Sequence, residues 1–334
     1  MDQSQRTISE ITIVTPTFRR PAEVAELLDN LRHQSLLPAE IILVDGAPPE
    51  ETATEEVVKT VTSTLPFPCR YIRRGGGTAV QRNTGIENAK TPYIALIDDD
   101  IRPEPDFLEQ ITRAFADDRE RKVGGIVGYR TNQHFDTNVQ RWRWYRRLRF
   151  FSTYEPGRYD FTSGYPINVN LQPPFSGIRE VDFMTTSCAV WRRDVFDSGL
   201  SFDPFFRDYG MLEDAHFSLR AGRQWKLWQC GDACCLHLHS PHGRPPSRKI
   251  GYKCVVNYYY VFQDVVRPLT WRHRLRFWRF QAFELLRVFS SAIRRRRWSD
   301  VMEFWGRIEG IFAIARGEYE FNTKGQRVKG SKKK

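Results

Sequence analysis

The 334-residue sequence lacks any run long and apolar enough to cross a bilayer. The most apolar stretch near its end, Val255 to Val266, is short and mixed with polar residues, where a span takes about 20 apolar residues. Met1 to Glu10 is polar and carries no signal-peptide core. Together these absences lead to the expectation of a cytoplasmic protein. Cysteine is scarce, six in all. Without a secretory signal, six are expected as reduced thiols and not as a disulfide scaffold. The glycine-rich segment Gly75 to Asn83 (GGGTAVQRN) has neither G-x-x-x-x-G-K-[ST] nor G-x-G-x-x-G. A P-loop and the dinucleotide fingerprint are therefore absent from it. No internal repeat is present.

What is there is a globular composition, 40% hydrophobic and 27% charged, rich in aromatics at 13%. The net charge of +11 is unevenly placed. Arg267 to Lys334 holds 18 basic and 6 acidic residues, a net +12, whereas Met1 to Asp264 holds 33 and 34, a net −1. A neutral body with a basic tail points to an anionic partner for the tail.

Residues 11–16, 40–45, 69–73 and 93–97 read as strands, and 21–34, 50–62 and 75–89 as helices. The strands are almost continuously apolar, which predicts a parallel sheet covered on both faces. Ligands of such sheets lie at the carboxyl ends of the strands. Thr15, Asp45, the glycine run and Asp98 to Asp100 fall there. Further strands are predicted at 124–129, 187–191 and 226–239, with a helix at 213–221. Residues 141–151 (RWRWYRRLRFF) interleave arginine with aromatics; a stacking wall and a helix with an aromatic buried side both fit. Two amphipathic helices are predicted after Arg272, one with Trp278, Ala282, Leu285, Phe289 and Ile293 on a face, the other with Val301, Phe304, Ile308, Ile311 and Ala315.

Three adjacent carboxylates, Asp98, Asp99 and Asp100, repel one another unless a cation lies between them, and oxygen donors of this kind suit Mg²⁺ or Mn²⁺. Glycines ahead of a helix bring backbone N–H groups close to a phosphate, and Arg82 sits one turn further on. Glu213 and Asp214 open a helix, where acids are favoured by the dipole and where a general base would also sit. Cys235, His237 and His239 share a strand face by period two, at a spacing that matches no standard zinc framework.

In order, ITIVTPTFRR (11–20), EIILVDGA (40–47), GTAVQRNTG (77–85), YIALIDDD (93–100), SCAVWRRDVF (187–196), LEDAHFSLR (212–220) and HLHSPHGR (237–244) resemble the family 2 glycosyltransferases. The resemblance implies an α/β GT-A fold, a Rossmann-like, mostly parallel sheet flanked by helices, over 1–245. A basic amphipathic helical extension would follow over 246–320, able to meet an anionic membrane surface from 267 onward, and a basic disordered tail over 321–334. It implies inverting transfer from a nucleotide-sugar (UDP-, GDP- or dTDP-linked) to a glycan or lipid-linked glycan, on the cytosolic side. It casts Thr15, Pro16, Thr17, Arg19, Asp45, Gly77, Arg82, Asp98 and Asp99 as donor-binding residues. Asp98 and Asp100 would hold Mn²⁺ or Mg²⁺ with His237, or alternatively His239. Asp214 would be the general base with Glu213 beside it. One departure stands out: Asp45 is followed by Gly46 where the family often has a second acid. Rival readings are a nucleotidyltransferase and a nucleic-acid binder using 141–151 and the tail; nucleic acid is not the expected partner.

Overall fold

The computed structural model describes residues 7–133, 140–206, 210–239 and 245–318, and the backbone of 320–321 and 327–328. The strands are β1 (Ile11–Thr17), β2 (Glu40–Asp45), β3 (Cys69–Arg73), β4 (Tyr93–Ile97), β5 (Ile101–Pro103), β6 (Val123–Arg130), β7 (Tyr159–Asp160), β8 (Tyr165–Pro166), β9 (Ile178–Val181), β10 (Cys188–Arg192), β11 (Lys226–His237), β12 (Glu320–Phe321) and β13 (Arg327–Val328). The helices are α1 (Pro21–Leu31), α2 (Ala53–Thr62), α3 (Thr78–Asn88), α4 (Phe107–Asp117), α5 (Gln140–Arg147), α6 (Arg193–Asp197), α7 (Glu213–Ala221), α8 (Ser247–Val265), α9 (Trp271–Arg295) and α10 (Trp298–Arg316). The chain divides into two units, 1–136 with 155–158 and 167–243, and 137–154 with 159–166 and 244–334. The basic tail expected over 321–334 falls outside the described residues, apart from Phe321 and the short strand β13.

The first unit is built on a sheet ordered β3-β2-β1-β4-β10-β6-β11-β5, with β9 pairing β11. β1 runs parallel to β2 and to β4, and β2 parallel to β3. β10 is antiparallel to both β4 and β6. β1 and β10 are buried along their whole length, as the unbroken apolar runs ITIV and CAVW require of strands covered on both faces. The parallel order changes direction beside β1 and β4. That places the ends of those strands at the crevice where open α/β sheets bind ligands. Gly76 and Gly77 take φ of 115° and 92°, open only to glycine at low cost. They turn the chain into α3, which packs against β1 through Gly85.

In the second unit, α8 and α10 approach backbone to backbone. A Cβ on Gly306 would stand 1.9 Å from the Arg248 carbonyl oxygen, and one on Gly251 would stand 2.1 Å from that of Glu303. Only glycine allows such proximity. Residues 141–151 are no open stacking wall: Tyr145, Phe150 and Phe151 are buried, among Tyr165 and Phe280. The apolar faces read from the sequence for the last two helices are not the sides these helices bury. On α9 the buried side is Phe277, Phe280, Gln281, Glu284, Val288 and Ala292, while Phe289 and Ile293 are exposed. On α10 it is Gly306, Arg307, Gly310 and Ala313. Among the described residues no helix is long and apolar enough to cross a membrane.

Candidate functional site

The site grows from the carboxyl ends of β1, β2 and β4. Thr15 and Pro16 lie inside β1 and are buried, so Thr17 is the strand's last residue. Its Oγ1 donates to Asp99 Oδ2 at 2.7 Å. Arg20 donates to Asp99 Oδ1 at 2.7 Å and lies 3.7 Å from Asp100. Asp99 is thus held from two sides within the protein. Burial nevertheless pushes its carboxyl up to about 6, against the pull of Arg20 and Thr17. Arg19 points to the surface and pairs with Glu51.

Asp45 is fully buried and accepts from Tyr71 Oη at 2.7 Å and from the Ala47 N–H at 2.8 Å. Gln81, one turn into α3, donates to the carbonyls of both Thr17 and Val44 at 2.7 Å. It staples the ends of β1 and β2. Gly46, in place of a second acid, donates its N–H to the Thr17 carbonyl at 2.9 Å. Gly77 is the residue that opens α3.

The acids at the end of β4 and the start of α7 meet at Arg82. Its Nη2 donates to Asp98 Oδ1 at 2.9 Å and its Nη1 to Glu213 Oε1 at 2.8 Å. Arg82 is buried, and its two carboxylates hold it firmly charged. The Asp98 N–H also binds the Ser187 carbonyl, at 3.1 Å, fixing this loop to the chain entering β10. Asp214 follows Glu213. The residue keeps some surface exposure, but its carboxyl lies deep among protein atoms. That burial, with the negative charge of Glu213, pushes it up to about 7; the Ala215 N–H at 2.7 Å and the charges of Arg82 and Arg130 oppose the rise. Leu212, just ahead, has φ of 70°, an uncommon backbone for leucine that aims the start of α7.

On the other side of the acidic triplet, His237 Nε2 lies 3.2 Å from Asp100 Oδ1. β11 ends at His237. Asn132 clamps its backbone, accepting from the His237 N–H at 3.0 Å and donating to its carbonyl at 2.8 Å. Gln133 meets Nδ1 at 2.7 Å and is itself held by Asn170 at 2.8 Å. Arg130 lies 3.5 Å from the same nitrogen and donates to Thr185 Oγ1 at 2.8 Å. His239 is exposed, stacks on the His237 ring at 4.0 Å between centroids, and also meets Gln133. Among the described residues no group of three or more His, Cys, Asp or Glu gathers as a ready metal cage.

The structure therefore brings Asp98, Arg82 and Glu213 together directly, and Asp100 with His237, while Thr15 and Pro16 stay inside the strand and Arg19 outside. Sequence reading did not single out Arg20, Tyr71, Gln81, Arg130, Gln133 and Asn170. Arg20 and Gln81 carried a signal, being in the segments 11–20 and 77–85, and Tyr71 lies in a strand that was read. Arg130, Gln133 and Asn170 lie outside the segments that carried a motif.

The profile described as "Glycosyl transferase family 2" matches residues 12–199, more than half of the chain. The chain belongs to that family and is a glycosyltransferase with the GT-A fold. It is 25% identical over 252 residues to "Uncharacterized glycosyltransferase YwdF" of Bacillus subtilis (strain 168), covering 73% of this chain and 80% of that one. Among solved structures it is similar to "Mannosyltransferase PcManGT from Pyrobaculum calidifontis in complex with GDP-Man and Mn2+". That match has a TM-score of 0.56 at 14% identity, over 93% and 89% of the two chains. It is also similar to "GalNAc-T7 with UDP, GalNAc and Mn2+", with a TM-score of 0.54 at 14% identity, over 78% and 48%.

Proposed function

We propose that this chain transfers a sugar, with inversion, from a nucleoside-diphosphate donor to a hydroxyl of a glycan or lipid-linked glycan, aided by a divalent cation and with Asp214 as general base. The observation that carries this reading is the Asp98–Arg82–Glu213 bridge. It ties the acidic triplet of β4 to the start of α7, so one crevice serves both donor and proton acceptor. The neighbours crystallised with GDP-Man, UDP and Mn²⁺ support the donor class and the metal.

The donor set fits Mn²⁺ or Mg²⁺: a carboxylate oxygen and an imidazole nitrogen 3.2 Å apart. Such cations are commonly held by one or two protein donors, with substrate phosphates and water filling the other positions. Asp100 and His237 would hold the ion, with Asp98 beside it. For this, His237 needs its proton on Nδ1, which follows when the Gln133 amide presents its oxygen to that nitrogen, a flip that requires the Asn170 amide to turn with it so that its oxygen meets the Gln133 NH2. When bound, the ion would act as a Lewis acid on the departing diphosphate.

The protein groups do the rest. Asp45, fully buried, shapes the nucleoside end of the crevice through the Tyr71 hydroxyl it holds. Asp214, pushed up to about 7, takes the acceptor's proton at its carboxylate as the hydroxyl oxygen bonds to the anomeric carbon and the bond to the diphosphate breaks. Approach opposite the leaving group inverts that carbon. Assistance of this kind is typically worth about 10²–10⁴-fold.

The test is a thermal-shift screen of UDP-, GDP- and dTDP-sugars with and without Mn²⁺, on the wild type and on Asp100→Asn. One donor should raise the melting temperature only with the metal, and Asp100→Asn should abolish that rise. Equal stabilisation of the two proteins would refute the assignment of Asp100.

A further inference from the structure

Eight of the sixteen large apolar residues exposed among the described residues lie on α9 and α10. On α9 they follow a line. At about 100° per residue, Trp271, Leu275, half-buried Trp278, Leu286, Phe289 and Ile293 fall within ~80° of the helix circumference. That arc is opposite the buried side centred on Glu284. The helix is thus apolar on two faces, of which the protein covers one. Trp271 is 69% exposed and Trp298, at the start of α10, 72%. Trp298, Trp305 and Phe312 repeat every seven residues along α10. Phe289 touches Phe304 (5.2 Å between ring centroids), which touches Trp305 (5.9 Å), so the two stripes are continuous.

Charge decides what can cover this face. From Trp271 to Arg297 there are nine arginines and one acid, Glu284, and Glu284 is buried. Arg272, Arg274, Arg276 and Arg279 flank the stripe, and Arg294 to Arg297 crowd the turn between the helices. Arg274, Arg276, Arg294 and Arg295 are exposed and pair with no acid among the described residues. A second copy seated here would set arginine against arginine. The occupant has to accept apolar side chains and cations together, with tryptophan at the boundary. A bilayer surface with anionic headgroups does all three.

We propose that the outward faces of α9 and α10 dock the protein on an anionic lipid bilayer, lying in its interface without crossing it. The aromatic stripe enters the headgroup–acyl boundary, and the arginines meet lipid phosphates. This stands apart from the catalytic proposal and does not depend on it.

The experiment is co-sedimentation of the full chain with phosphatidylglycerol–phosphatidylcholine vesicles, against phosphatidylcholine alone, with tryptophan quenching by brominated lipid. Binding to the anionic vesicles, quenching, and weakening with added salt are expected. Two variants at exposed positions separate the contributions. Trp271→Ser with Trp298→Ser and Trp305→Ser should remove quenching and most binding. Arg274→Gln with Arg276→Gln should lower partitioning on the order of 10-fold or more, from about 1 kcal/mol per basic residue at such a surface. Equal binding to neutral vesicles, no binding to anionic ones, or sedimentation unchanged in the tryptophan variant would overturn the proposal. So would light scattering that shows a wild-type dimer abolished by that variant.

Discussion

Two buried carboxylates, one in each unit, have been pushed in opposite directions. Glu284 in the second unit is 2% exposed and accepts from Arg141, Tyr145 and both ends of the Arg287 guanidinium, with Arg307 3.8 Å away. The arginines overcome the cost of burial and hold it down at about 2. Asp214 in the first unit is also enclosed, but its immediate neighbour is another acid, Glu213, and Arg82, whose charge opposes the rise, is already shared between Asp98 and Glu213. It is pushed up to about 7. A carboxylate saturated with cations is a structural knot. One short of cations, and near neutrality in its proton affinity, is able to take a proton and release it.

Substitution should separate the two roles. The largest effect belongs to Asp214→Asn. Turnover should fall about 10²–10⁴-fold, while Mn²⁺-dependent donor binding, measured by calorimetry, stays within a few-fold of wild type. Glu284→Gln should do the reverse. Donor affinity is retained, but the fold loses about 3 kcal/mol on denaturant titration, because three cations are left facing a neutral group. The figure sits at the low end for a broken buried pair since Arg141 and Arg287 reach solvent. The third effect is a pH dependence of stability. Asp214 has a folded value above the 3.8 of the free group, so its ionisation penalises the native state progressively from about pH 4 to 7. Asp214→Asn should therefore gain stability over wild type across that window and then level off. Glu284 has a folded value below 4.5, so its contribution is whole above that pH and disappears as pH falls toward 2. Denaturant titrations at pH 2 to 8 of wild type and both variants check both signs.

The same contrast explains what could be read in advance. In the first unit local and global signals agree. ITIVTP, EIILVD and YIALI are apolar runs that can only be strands covered on both faces, and the acids and glycines that stop them form the rim. β5 and α4 escaped notice although Phe107, Leu108, Ile111, Ala114 and Phe115 carry helical spacing behind Asp106. In the second unit the signals conflict. α8, SRKIGYKCVVNYYYVFQDV, is rich in β-branched and aromatic residues that favour strands, and its helix rests on glycine contacts with α10 that no periodicity reveals. α9 has two apolar faces. Which one turns inward is settled by Glu284 and the cations that gather on it, Arg141 from one segment and Arg307 from another. Around the candidate site, the motif positions were legible, but the clamp on His237 was not. Asn132, Gln133 and Asn170 act through contacts between distant segments.

The most direct test of Asp214 as a proton acceptor near neutrality is the pH dependence of kcat/KM for nucleoside-diphosphate release, in wild type and Asp214→Asn. The wild-type rate should fall tenfold per unit below an inflection near pH 7, and the variant should be slow and flat through that range. An Asp214→Asn enzyme that keeps the wild-type rate and the same acid limb would contradict it.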